Sequence, residues 1–169
     1  MGQAAKPKFG VVKGSELSLA GPALAQLLRA VLGKGASVRF QVRGFSMSPF
    51  IKNEDVVTLS PLKNASPSVG DVIALVLGEA DKLRVHRVVG KKGDRYVTKG
   101  DNSSEADESV AAQNILGFVT RVERNGKDVF LGLGPERFLI ALLVGRGLLL
   151  PLLLPVAKLI RIFVKRSPS

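Results

Sequence analysis

Alternating apolar and polar positions dominate the middle of the chain. Segment 37–43 alternates strictly, so that Val38, Phe40 and Val42 share one face. Six further apolar segments are bounded by Gly, Asn, Asp or Pro and are predicted as strands: 55–59, 71–77, 82–89, 94–98, 114–123 and 128–132. Asn125-Gly126 is typical of a hairpin turn between two of them. The pattern predicts a mainly β domain over 36–134, with a folded, barrel-like antiparallel sheet.

The N-terminal part of the chain lacks this alternation. Residues 1–14 are predicted to be a basic arm, and 15–35 a short amphipathic helix with Pro22 in its first turn. Gly33 and Gly35 end the helix. The stretch also resembles a secretory signal peptide, but polar residues and Pro22 interrupt its apolar region, so we favour the helix.

Residues 135–169 form a hydrophobic, basic tail. Its longest uncharged segment, 147–157, has 11 residues, fewer than the roughly 20 that a spanning helix needs. A span over 138–157 would place Arg146 near its middle. Segment 158–166 mixes basic and bulky apolar residues, which suits a lipid headgroup boundary. We favour interfacial or re-entrant membrane attachment; a helix packed on the core and a true span remain alternatives.

Composition narrows the possible chemistry. The chain has no Cys and one His, which excludes disulfides, a thiolate nucleophile and sites with two or three His ligands, so we expect no metal or other cofactor. The formal net charge is +11, and the basic residues concentrate at the two ends. This charge favours an anionic membrane surface as partner. Nucleic acid is not expected, because aromatic residues are sparse.

Three residue types that can support nucleophilic catalysis occur in turns and strands. Ser46 lies in a Gly- and Pro-bounded turn directly after the first strand, where a hydroxyl and free backbone N–H groups can serve as nucleophile and oxyanion hole. His86, the single histidine, is either a half-exposed sheet residue or a general base. Asp101 and Asp107 follow the next strand, and either can orient an imidazole; Asp101 also fits an ordinary turn.

Four motifs in a fixed order make this set specific: Ser46-Met47-x-Pro49, Gly70-Asp71-Val72-Ile73, His86-Arg87-Val88-Val89-Gly90 and Thr98-Lys99-Gly100-Asp101-Asn102. Over about residues 37–123 the chain resembles the type I signal peptidases and their superfamily, which includes LexA-like self-cleaving repressors. The resemblance implies a mostly β peptidase domain with Ser46 as nucleophile. His86 matches the base of the endoplasmic-reticulum variant, and both Asp101 and Asp107 match its aspartate. We favour Asp107, with Asp101 supporting the turn and the cleft.

The resemblance implies a serine endopeptidase that cleaves after small residues in an extended leader- or signal-type peptide, through an acyl-enzyme. Phe45, Met47 and Phe50 are expected to line the substrate cleft or to belong to the core, and Ser48 to assist the oxyanion. The substrate is expected to pair with a strand edge near 82–86 or 37–43. Two alternatives remain: a self-cleaving regulator cut at Ala20-Gly21, and a catalytically inactive membrane-surface interaction protein.

Three departures from the resemblance affect these expectations. Gly44 stands where many members carry a hydroxyl residue, and Glu54-Asp55 replaces the usual Gly-Asp. No N-terminal membrane anchor is evident, so we expect attachment at the cytoplasmic face of a membrane rather than secretion. The sequence does not indicate the oligomeric state.

Overall fold

A computed structural model describes residues 21–78, 82–153 and 155. In chain order the elements are helix α1 (Gly21–Gly33), strands β1 (Val38–Gln41), β2 (Val56–Pro61), β3 (Val72–Leu77), β4 (Lys82–Lys92), β5 (Arg95–Lys99), β6 (Val110–Ala111), β7 (Ile115–Arg124) and β8 (Lys127–Asp128), and helix α2 (Arg137–Gly145). A short 3-10 helix, Ala112–Asn114, joins β6 to β7. The basic arm predicted at 1–14, the first part of the predicted helix and the tail beyond 155 lie outside the described residues.

The strands form one antiparallel sheet in the order β1-β2-β7-β3-β4-β5-β6, with β8 paired to β7. The mainly β prediction is confirmed, but the expected barrel-like form is wrong because the sheet is not closed. In the described part of the chain, β1 pairs only with β2 and β6 only with β5. Since β6 has just two residues, it offers too few backbone groups to close the sheet.

Strand β3 lies at the centre and is buried on both faces, which explains its continuous apolar sequence. Val72, Ala74 and Val76 face the core beneath α1, and Ile73 and Leu75 face a second core on the other side. Helix α1 contributes residues spaced by three and four positions to the first core: Ala25, Leu28 and Leu32.

Strand β4 changes partner along its length. Residues 82–87 pair with β3, and residues 87–92 pair with β5, with a register shift between Val88 and Gly90. Among the described residues, Leu83–His86 therefore has a strand on one side only. The side of this segment that faces away from β3 is an open strand edge, and His86 is its last residue.

The strand predicted at 128–132 ends at Asp128, because the chain then leaves the sheet. The backbone of Gly132 packs against the Phe50 ring, and its carbonyl accepts a hydrogen bond from Arg87. Helix α2 closes a third core with Ile140 and Val144 against Phe50. No helix in the described ranges is both long enough and apolar enough to cross a membrane.

Candidate active site

The loop after β1 presents Ser46 to solvent. Two backbone hydrogen bonds tighten the loop: Ser48 N–H donates to the Phe45 carbonyl at 3.1 Å, and Ile51 N–H donates to the Met47 carbonyl at 3.0 Å. Gly44 adopts φ +110°, a conformation that favours glycine over any residue with a Cβ. This conformation gives a physical reason for glycine at position 44.

His86 joins Ser46 to Asp107. Its Nε2 lies 3.2 Å from Ser46 Oγ, and its Nδ1 lies 2.5 Å from Asp107 Oδ2. His86 is 2% exposed, so the alternative of a half-exposed sheet residue is wrong. With Nδ1–H donating to the carboxylate, Nε2 is left as the acceptor that faces the serine hydroxyl.

Asp107 is fixed by β5 as well as by His86. Thr98 Oγ1 donates to Asp107 Oδ2 at 2.7 Å, and the Asp107 N–H donates to the Thr98 carbonyl at 2.8 Å. Arg84 Nη1 lies 3.7 Å from Oδ1. Burial raises the pKa of Asp107, but the hydrogen bonds from His86 and Thr98, with the nearby positive charge, outweigh burial and hold the pKa below its ordinary value. The carboxylate is therefore ionised at neutral pH.

Asp101 makes a different, structural contact. Arg87 Nε and Nη2 donate to its two oxygens at 2.8 and 2.7 Å, and both side chains are fully buried. Arg87 Nη1 also donates to the carbonyls of Gly70 and Gly132, at 2.9 Å each. Burial raises the pKa of Asp101, against the hydrogen bonds and charge of Arg87. Asp101, which the sequence left as an alternative partner for His86, instead ties three loops together through Arg87.

The turn after β5 holds the serine loop in place. Asn102 N–H donates to the Ser46 carbonyl at 2.7 Å, and Asn102 Nδ2 donates to the Phe45 carbonyl at 3.2 Å. A Cβ on Gly100 would lie 2.7 Å from the Ser46 carbonyl oxygen and 3.0 Å from Ser46 Cβ. Only glycine allows this turn to approach the serine so closely.

This geometry agrees with a comparison to protein families. The Peptidase S24-like family model matches residues 19–121, well over half of the chain. The chain belongs to the Peptidase S24-like family. Membership supports a serine peptidase-type hydrolase or a LexA-like self-cleaving fold, which is the coarser part of the predicted resemblance. A comparison with curated proteins gives no match.

The residues predicted to line the substrate cleft of this S24-like protein have different surroundings. Phe45 is 67% exposed beside Ser46, and Ser48 is partly exposed. Met47 is buried in the core beneath α1, and Phe50 is buried against α2. Phe45 is therefore the apolar side chain of this set that is open to a substrate.

Four residues that hold the S24-like site together had no role in the sequence interpretation: Arg84, Arg87, Thr98 and Asn102. Arg87, Thr98 and Asn102 occur inside the four motifs. Their places next to His86 and Asp101 in those motifs are the sequence feature that could have identified them as site residues. Their partners are set by the fold. No group of three or more His, Cys, Asp or Glu residues suited to a metal is found in the described ranges.

Proposed function

We propose that this S24-like protein is a serine endopeptidase that uses Ser46, His86 and Asp107, the Ser-His variant of the signal peptidase motif. Its substrate is an extended leader- or signal-type peptide, cleaved after small residues. The observation that supports this proposal most is the position of His86, which contacts the Ser46 hydroxyl and the Asp107 carboxylate with different nitrogens.

The chemistry follows from these contacts. His86 Nε2 takes the hydroxyl proton of Ser46 while Oγ attacks the peptide carbonyl. Asp107 keeps the ring in the correct tautomer and stabilises the imidazolium that forms. His86 then passes the proton to the leaving amine, and a water molecule, activated by the same base, hydrolyses the acyl-enzyme.

The oxyanion needs donors near the serine. In the described part of the chain, the backbone N–H of Ser46 has no hydrogen-bond acceptor, so it is available to the developing oxyanion. The hydroxyl of Ser48, in the same loop, is the second proposed donor to the oxyanion. These donors would replace the hydroxyl that the resemblance to signal peptidases implies at the position of Gly44.

The open edge at 82–86 supports an extended substrate. A peptide paired there by backbone hydrogen bonds would run past His86 toward Ser46. The edge of β1, which includes most of the alternative segment 37–43, is also free among the described residues. We favour 82–86, since its final residue is the proposed base.

The test is proteolysis of a complex peptide mixture by the purified full chain, with new termini identified by mass spectrometry. Four proteins are compared: the wild type, Ser46→Ala, His86→Ala and Ser104→Ala. Ser104 is an exposed serine in the 101–108 loop and serves as the matched control. The proposal expects cleavage by the wild type and Ser104→Ala only, with small residues before each cut.

The same spectra distinguish the alternatives. A shortened wild-type chain that is absent in Ser46→Ala, with no cleaved peptides, would favour the self-cleaving regulator. Ala20-Gly21, the bond considered from the sequence, lies at the boundary of the described residues. Equal results for all four folded proteins would reject the peptidase and favour an interaction protein.

A further inference from the structure

After its first residue, Arg137, helix α2 is apolar on every side. Ile140, Ala141 and Val144 are buried against the body of the protein. Phe138, Leu139 and Leu142 occupy the opposite side of the helix, and each is about half exposed. A surface helix of a globular protein normally carries polar residues on its outer side. The exposed apolar side of α2 therefore indicates a site that binds a partner.

Large apolar side chains are also exposed in the segments before and after α2. Of the ten large apolar side chains exposed in the described residues, seven lie between 130 and 152, so they are concentrated rather than scattered. Phe130 is 85% exposed and Leu131 is 61% exposed. Six of these residues define what we call the apolar surface: Phe130, Leu131, Phe138, Leu139, Leu142 and Leu148.

The segment that carries Phe130 and Leu131 and helix α2 both pack against one buried residue, Phe50. Gly132, next to Leu131, packs on the Phe50 ring, and Phe50 packs with Ile140 and Val144 of α2. The loop and the helix are thus held against the same side chain. Phe50 also belongs to the loop that carries Ser46, so the apolar surface is fixed relative to the candidate active site.

Charge indicates which partner fits. The sequence from 137 to 169 contains no Asp or Glu but carries six basic residues: Arg137, Arg146, Lys158, Arg161, Lys165 and Arg166. Arg146 is exposed directly after α2. Apolar side chains flanked by cations match a lipid surface with anionic headgroups. A second copy, with the same net charge of +11, would be repelled.

We propose that the apolar surface docks on an anionic membrane, with Phe130, Leu131 and the outer side of α2 at the headgroup boundary. Docking of this kind needs no spanning helix. It would hold the Ser46 loop at a constant height above the lipid. The proposal does not depend on peptidase activity, because it concerns binding alone.

The test is co-sedimentation of the full chain with vesicles of phosphatidylcholine and phosphatidylglycerol, and with vesicles of phosphatidylcholine alone. The triple variant Phe138→Gln/Leu139→Gln/Leu142→Gln removes the outer side of α2. The matched control Leu27→Gln/Val69→Gln changes exposed apolar residues elsewhere. Circular dichroism establishes that each variant folds, and sedimentation velocity without lipid gives the oligomeric state.

We expect the wild type and the control to bind the anionic vesicles, with weaker binding at high salt. We expect the triple variant to bind roughly tenfold or more weakly, because three large apolar side chains no longer enter the boundary. Equal binding by the folded triple variant, or no binding by the wild type, would overturn the proposal. So would a wild-type dimer that the triple variant dissociates and that does not bind vesicles, since the surface would then join two copies.

Discussion

At the scale of single residues, two aspartates beside the serine loop have separate tasks. Asp107 contacts His86, whereas Asp101 neutralises buried Arg87. We expect Asp107→Asn to lower kcat by about 10²- to 10⁴-fold, because the ring loses its orienting carboxylate, and to destabilise the fold less than Asp101→Asn does. We expect Asp101→Asn to lower the free energy of unfolding by roughly 3–5 kcal/mol, since it leaves a buried charge without its partner.

Peptide cleavage rates and urea unfolding of both variants separate these effects. Glu105→Gln, an exposed change in the same loop, is the control and should behave as wild type. A large activity loss in Asp101→Asn without destabilisation would contradict the assignment.

Glu54 has a strained backbone conformation. It adopts φ +71°, a conformation that glycine adopts without strain and that costs other residues roughly 1–2 kcal/mol. Glu54→Gly should therefore stabilise the protein by up to about 1 kcal/mol, after the greater freedom of glycine in the unfolded chain is subtracted. Thermal unfolding measures the change. Glu105→Gly, at a position without positive φ, should be neutral or destabilising, and equal effects of the two changes would reject the explanation.

At the scale of elements, the turn after β5 sets the position of the nucleophile. Gly100→Ala should lower kcat at least tenfold, because the new Cβ would press on the Ser46 backbone and shift Oγ away from His86. Gly90→Ala in β4 is the matched control, since its Cβ would meet only Val97, at 3.9 Å. Cleavage rates and a crystal structure of Gly100→Ala test this. Unchanged activity in a folded Gly100→Ala would show that the contact does not position the serine.

The same elements show what sequence patterns can and cannot predict. Period-two alternation and turn residues located β1 to β5 and β7 within a few residues, because each of these strands has its own apolar pattern. β6 and β8 have only two residues each, which is too short for an alternating pattern, and the apolar segment predicted as a strand over 128–132 leaves the sheet after Asp128. The choice between Asp101 and Asp107 also depended on the fold, since it follows from the Asp107 backbone bonding to Thr98.

At the scale of the whole molecule, ionised carboxyl groups hold distant segments together. Arg124, at the end of β7, donates to both oxygens of Asp55 at 2.9 and 2.8 Å and to the Phe50 carbonyl at 3.0 Å. Burial raises the pKa of Asp55, but the hydrogen bonds from Arg124 and from the Lys52 N–H outweigh burial and place the pKa below its ordinary value. This pair connects the sheet to the loop that carries Ser46.

A carboxyl group whose pKa is lower in the folded chain than in the unfolded chain stabilises the fold fully above its unfolded pKa, about 4. That stability is lost as the pH falls through the folded pKa. Asp55→Asn should therefore lower the free energy of unfolding by roughly 1–3 kcal/mol at neutral pH, and its difference from wild type should shrink below about pH 4. Asp128→Asn, in an exposed pair with Arg121, is the control and should have little effect at neutral pH. Urea unfolding over a pH series measures both variants. If the free energy of unfolding of Asp55→Asn stays below that of the wild type by the same amount at pH values under about 4, the difference arises from packing. The charge of Asp55 would then not link the sheet to the serine loop.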